Sequence, residues 1–66
     1  MNVHVNGERR RLDGGTSVAE VVRELTDSER GVAVAVDGEV VPRSAWAATA
    51  LADGQQLEVL RAVQGG

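Results

Sequence analysis

Ser17-Val18-Ala19-Glu20-Val21-Val22-Arg23-Glu24-Leu25 is the stretch whose pattern decides the fold. Its first four residues fit a capping box, in which an N-cap serine hydroxyl accepts from the N3 amide while the N3 glutamate accepts from the N-cap amide. Val18, Val21, Val22 and Leu25 recur at i, i+3, i+4 and i+7 as one apolar stripe, and Glu20, Arg23 and Glu24 fall off it. A helix with one apolar face must lay that face on something, and the flanking segments read as a sheet. Gly14-Gly15 breaks the chain before the helix. The polar residues 27–31 end it, with Gly31 available for a left-handed C-terminal position.

On the N-terminal side, residues 1–5 alternate apolar and polar, Asn6-Gly7 is a type I′ hairpin signal, and residues 8–12 return antiparallel. This register sets Val5 against Glu8, Val3 against Arg10 and Met1 against Leu12, so Arg10 falls on the apolar side. Two arrangements accommodate it: a packed stem with its head in water, or a different register. On the C-terminal side, Val32-Ala33-Val34-Ala35-Val36 is a strand with valines on one face and alanines on the other. Asp37-Gly38 turns it into Glu39-Val40-Val41, and Pro42 stops that strand because proline cannot donate to a ladder. The alanine-rich residues 44–51 can hold a helical turn, Asp53-Gly54 makes another turn, and residues 56–63 form the last strand. The order ββαβ(β)β, with the final strand returning beside the first, is that of an α+β, ubiquitin-like β-grasp fold: a mixed sheet with one main helix packed across it. Residues 1–62 are expected to form the domain. A central last strand then projects residues 63–66 outward as a tail.

Sixty-six residues make one small domain with no room for an enclosed active site. Without cysteine there is no disulfide, thiolate metal site or thiol nucleophile. No secretory or membrane-spanning segment is evident, so the expected location is the cytoplasm, with no membrane partner. A formal net charge of −3, and a single aromatic residue, Trp46, argue against nucleic acid, which needs a basic face or stacking platforms. His4 has no partner at metal-ligand or triad spacing and is expected to be an exposed strand histidine. Arg9-Arg10-Arg11 reads as a solvated edge strand, because alternation sends the middle residue to the opposite face and charge discourages edge-to-edge aggregation. No nucleotide-binding glycine fingerprint is present. No catalytic pair or metal constellation can be assembled, so the chain reads as a non-enzyme.

What remains is Val63-Gln64-Gly65-Gly66. The terminal carboxylate is the one plausible reactive group, and two glycines without Cβ make a tail slim enough to thread a partner's cleft. The bland alternative is a frayed end. Four extended residues reach only about 10–13 Å, so a body carrying such a tail must dock close to any active site that uses it. Strand parity nominates Ala33, Ala35, Leu60 and Ala62 on the helix-free face, rimmed by His4 and Glu58. The alternative is that Leu60 is one scattered surface leucine.

Val40-Val41-Pro42-Arg43-Ser44-Ala45-Trp46, followed by Asp53-Gly54 and Gly65-Gly66, resembles the ThiS family, the sulfur carriers of thiamine biosynthesis. The resemblance spans the whole chain. Its departures are the arginine-rich second strand and the alanine-rich residues 45–52. What it implies is that an E1-like adenylyltransferase (ThiF-like) adenylates the Gly66 carboxylate with ATP and magnesium. A persulfide donor such as a cysteine desulfurase then supplies sulfur, and the thiocarboxylate delivers it to a thiazole synthase (ThiG-like). Gly65, Gln64 and Val63 would thread into those partners. The carrier itself would bind no cofactor and be monomeric when free. Rival readings are the small subunit of molybdopterin synthase, a ubiquitin-like modifier, and a passive interaction module; the Val-Pro-Arg with its downstream Trp favours the thiamine reading.

Overall fold

Two type I′ turns set the register of the sheet in the computed structural model, which describes residues 1–62. Asn6 (φ 51°) and Gly7 (φ 83°) join β1 (Asn2–Val5) to β2 (Glu8–Arg11). Asp37 (φ 49°) and Gly38 (φ 84°) join β3 (Val32–Val36) to β4 (Glu39–Val41). Positive φ at both central residues is what this turn requires, and Asn-Gly and Asp-Gly adopt it with least strain. The pairs Val3↔Arg10 and Val5↔Glu8 follow as the sequence predicts. Arg10 is therefore on the helix side, opposite buried Val3, and is itself partly buried. The packed-stem alternative holds, and the shifted register does not.

The last strand, β5 (Gln56–Arg61), inserts between the two hairpins, parallel to β1 and antiparallel to β3, giving the order β2-β1-β5-β3-β4. Among the described residues it ends at Arg61 rather than running on as the sequence pattern predicts. Both Asp-Gly turns anchor neighbouring strands. Asn2 N–H donates to the Asp53 carboxylate (2.7 Å), and Gln56 N–H donates to that of Asp37 (2.9 Å).

Helix α1 (Val18–Leu25) crosses one face of this sheet. Its capping box is complete: Glu20 N–H donates to Ser17 Oγ (3.2 Å) and Ser17 N–H to Glu20 Oε2 (3.0 Å). Val18, Ala19, Val21 and Val22 are buried against Val3, Val5, Val34, Val36, Leu57 and Val59 from the strands. Each fully buried valine contributes about 1.5–3 kcal/mol of hydrophobic stabilisation, so a charge at Val22, which is wholly buried, would unseat the helix. The helix ends at Thr26, whose φ of −149° is extended and whose hydroxyl accepts from Ser28 N–H (3.3 Å). Gly31 (φ +67°) is thus not the helix C-cap; its left-handed backbone instead turns the chain into β3.

The helical turn expected in residues 44–51 is a 3-10 helix, Arg43–Ala48, opened by Pro42 at its N-cap. It closes the open end of the core with Trp46, only 2% exposed. Val18 N–H donates to the Thr49 carbonyl and Leu51 N–H to the Thr16 carbonyl, both at 2.9 Å, fastening this cover to the start of α1.

Candidate functional site

Alternation along β5 sends Leu57 and Val59 into the core and leaves Gln56, Glu58 and Leu60 on the face that α1 does not cover. Register assembles the neighbours. Leu60 stands opposite Ala33 and Glu58 opposite Ala35, while on the other flank His4 stands opposite Gln56. The nominated residues of β1, β3 and β5 therefore do come together on one face. Ala62 follows directly, exposed, its N–H donating to the Gly31 carbonyl (2.6 Å).

Leu60 is 63% exposed and Val40 is 77% exposed. Val40 was not among the nominated residues, yet its signal is in the sequence. The Asp37-Gly38 turn fixes Val40 opposite Ala35, on the same face. Val40, Ala35, Ala33 and Leu60 thus share one face of the sheet, with Glu58 beside them.

His4 departs from expectation. It is partly buried rather than exposed, and its Nδ1 is shielded from solvent with no hydrogen-bond partner among the described residues. The cause is its place one strand in from the edge, between Arg9 of β2 and Gln56 of β5. An open concavity of about 380 Å³ lies here, lined by His4, Asn6, Gly7, Glu58 and Leu60 among others, alongside the strand that leads to the chain's end. Arg9 and Arg11 are exposed on the edge strand, as expected.

Val63, Gln64, Gly65 and Gly66 lie outside the described residues. Among those described, no group of three or more His, Asp or Glu could hold a metal ion, and no helix is long and apolar enough to cross a membrane.

Comparison with known proteins agrees with this geometry from several directions. The sulfur carrier protein ThiS of Escherichia coli is 29% identical over 66 residues, covering 100% of both chains. A thiazole synthase of Paramagnetospirillum magneticum is 36% identical over 66 residues, and there this chain spans only 20% of the relative's length. The crystal structure of a thiamine biosynthesis protein (ThiS) from Geobacter metallireducens superposes with a TM-score of 0.78 at 36% identity, each chain covered completely. Its solution structure gives the same score, with 88% of that chain covered. The ThiS family pattern matches residues 3–66, so the match takes in both the central strand and the five residues beyond it; the chain belongs to the ThiS family.

Proposed function

We propose that this chain is a sulfur carrier of thiamine thiazole biosynthesis, a protein co-substrate whose cargo site is the Gly66 carboxylate. The observation that carries the reading is the central position of β5, which ends at Arg61, next in sequence to exposed Leu60 and five residues before Gly66. A carboxylate is a poor electrophile because its charge is delocalised and its leaving group would be oxide. It must be activated. In an E1-like adenylyltransferase a Gly66 carboxylate oxygen attacks the α-phosphorus of magnesium-bound ATP, and pyrophosphate leaves. The terminal sulfur of a persulfide, formed on a donor such as a cysteine desulfurase, then attacks the acyl carbon and AMP departs. A second thiol cleaves the resulting acyl disulfide, leaving the sulfur on Gly66 as a thiocarboxylate and a disulfide behind.

The thiazole synthase is the natural acceptor, since a segment like this whole chain makes up a fifth of a protein bearing that name. Nucleotide, magnesium and sulfur donor belong to the partners, and the carrier supplies reach and orientation. It acts in the cytoplasm. The test is the intact mass of the protein purified from a sulfur-replete host that also expresses the adenylyltransferase. The expected result is the oxygen-to-sulfur increment localised to Gly66; an unmodified mass, or attachment to other proteins through isopeptide bonds, would overturn it.

A further inference from the structure

The sheet pairs unevenly around β5, and the unevenness falls beside the chain's end. Leu57 and Val59 aim their backbone groups at β1, whose turn begins at Asn6: Asn6 N–H donates to the Leu57 carbonyl at 2.9 Å. At Val59 a side chain replaces the strand. Val59 N–H donates to Asn6 Oδ1 (2.8 Å), and Asn6 Nδ2 donates to the Val59 carbonyl (3.1 Å). The amide of Asn6 acts as one surrogate peptide, and the pairing then stops. The even-numbered positions face β3, as the Ala62 N–H bond to Gly31 shows. By alternation the N–H and carbonyl of Arg61 face the β1 side, where no described residue meets them.

We propose that this half-edge at Arg61 is a strand-addition site, and that its occupant is an extended segment of the adenylyltransferase; the inference rests on the sulfur-carrier reading. Three observations favour that occupant. Arg61 is exposed, and no described residue pairs with its backbone on the β1 side. Exposed Leu60 and the concavity beside Asn6 and Gly7 offer side-chain contact next to the free backbone groups. The reactive carboxylate lies five residues past Arg61, so an enzyme that reaches it passes alongside this edge. Main-chain pairing at Arg61 would set the register of the tail, which two terminal glycines cannot set by themselves. The outer edges at β2 and β4 lie farther from the tail, and β2 carries the charged Arg9 and Arg11.

Amide hydrogen exchange on the full chain, free and saturated with the adenylyltransferase and ATP, reads this out. Arg61 N–H is expected to exchange at least about tenfold more slowly in the complex, while the outward-facing Val40 N–H of β4 and Arg9 N–H of β2 change little. A chain made by chemical synthesis with Arg61 N-methylated loses the donor and keeps the side chain. It is expected to fold with an unchanged melting temperature and be adenylated about three- to tenfold more slowly, the scale of one net hydrogen bond. Unchanged Arg61 exchange in a complex that adenylates the chain, protection at Val40 in its place, or wild-type adenylation of the N-methylated chain would each overturn the inference and leave the carrier reading intact. Wild-type chain that is never adenylated would instead remove the carrier reading.

Discussion

The indole Nε1–H of Trp46 donates to the backbone carbonyl of Val41 at 2.8 Å, closing a loop over Pro42. Proline ends β4, the 3-10 turn reverses the chain, and five residues later the ring comes back over the strand it left. The Val-Pro-Arg spacing to Trp is therefore a folding device. With the ring 2% exposed, Trp46→Phe should lower stability by about 1–3 kcal/mol, combining lost volume with an unpaired Val41 carbonyl. Trp46→Ala should lower it by about 3–5 kcal/mol, enough to unfold much of so small a domain. Urea denaturation followed by circular dichroism measures both, and a Phe variant as stable as wild type would contradict this role.

Asn6 makes a second, separable contribution. Asn6→Ala removes both bonds to Val59 and puts at φ 51° a residue without the polar side chain that lets asparagine tolerate the left-handed region, for an expected loss of about 2–3 kcal/mol. Asn6→Gly relieves the backbone but still loses the bonds, so it should fall between Ala and wild type. If Gly matched wild type, the surrogate pairing would contribute nothing measurable.

Leu60→Glu should leave stability within about 0.5 kcal/mol, because a residue 63% exposed has little burial to lose. Adenylation by the partner should nonetheless slow. Steady-state pyrophosphate exchange on the folded variant is the measurement, and unchanged kinetics would take Leu60 out of the interface.

At the tail, slimness and reach can be varied independently. Gly65→Ala adds a Cβ at the same length, whereas one extra residue after Gly66 keeps the carboxylate and moves it past the activated phosphate. Neither should alter thermal stability, since a terminal tail contributes little to the core, and both should sharply reduce thiocarboxylate formation. Rapid thiolation of the extended chain, without trimming back to Gly66, would mean that the Gly-Gly ending is incidental.

The hairpins and the sheet order were legible because positive-φ turns leave few choices: Asn6-Gly7 and Asp37-Gly38 fix parity, and parity fixes faces. The same logic exposed the patch around Leu60. It missed Val40 only because β4 was read for its proline stop rather than its register. Other features depend on contacts remote in sequence. The helix stops at Thr26 because its hydroxyl and Ser28 form a local turn, a competition that a search for glycine overlooks. His4 is shielded by strands on both sides, and alternation specifies a face without specifying coverage. The bonds between Asn6 and Val59 span 53 residues and have no signature in the pattern.

That separation has a consequence for fidelity. An unfolded chain carries the same Gly65-Gly66 as a folded one, so recognition of the ending alone would load sulfur indiscriminately. The surface that carries Leu60, Ala33 and His4 exists only after segments from both ends and the middle of the chain have met in a single sheet. A partner that required this surface would inspect the fold before committing ATP, and would leave unfolded carriers unloaded without any separate quality-control step.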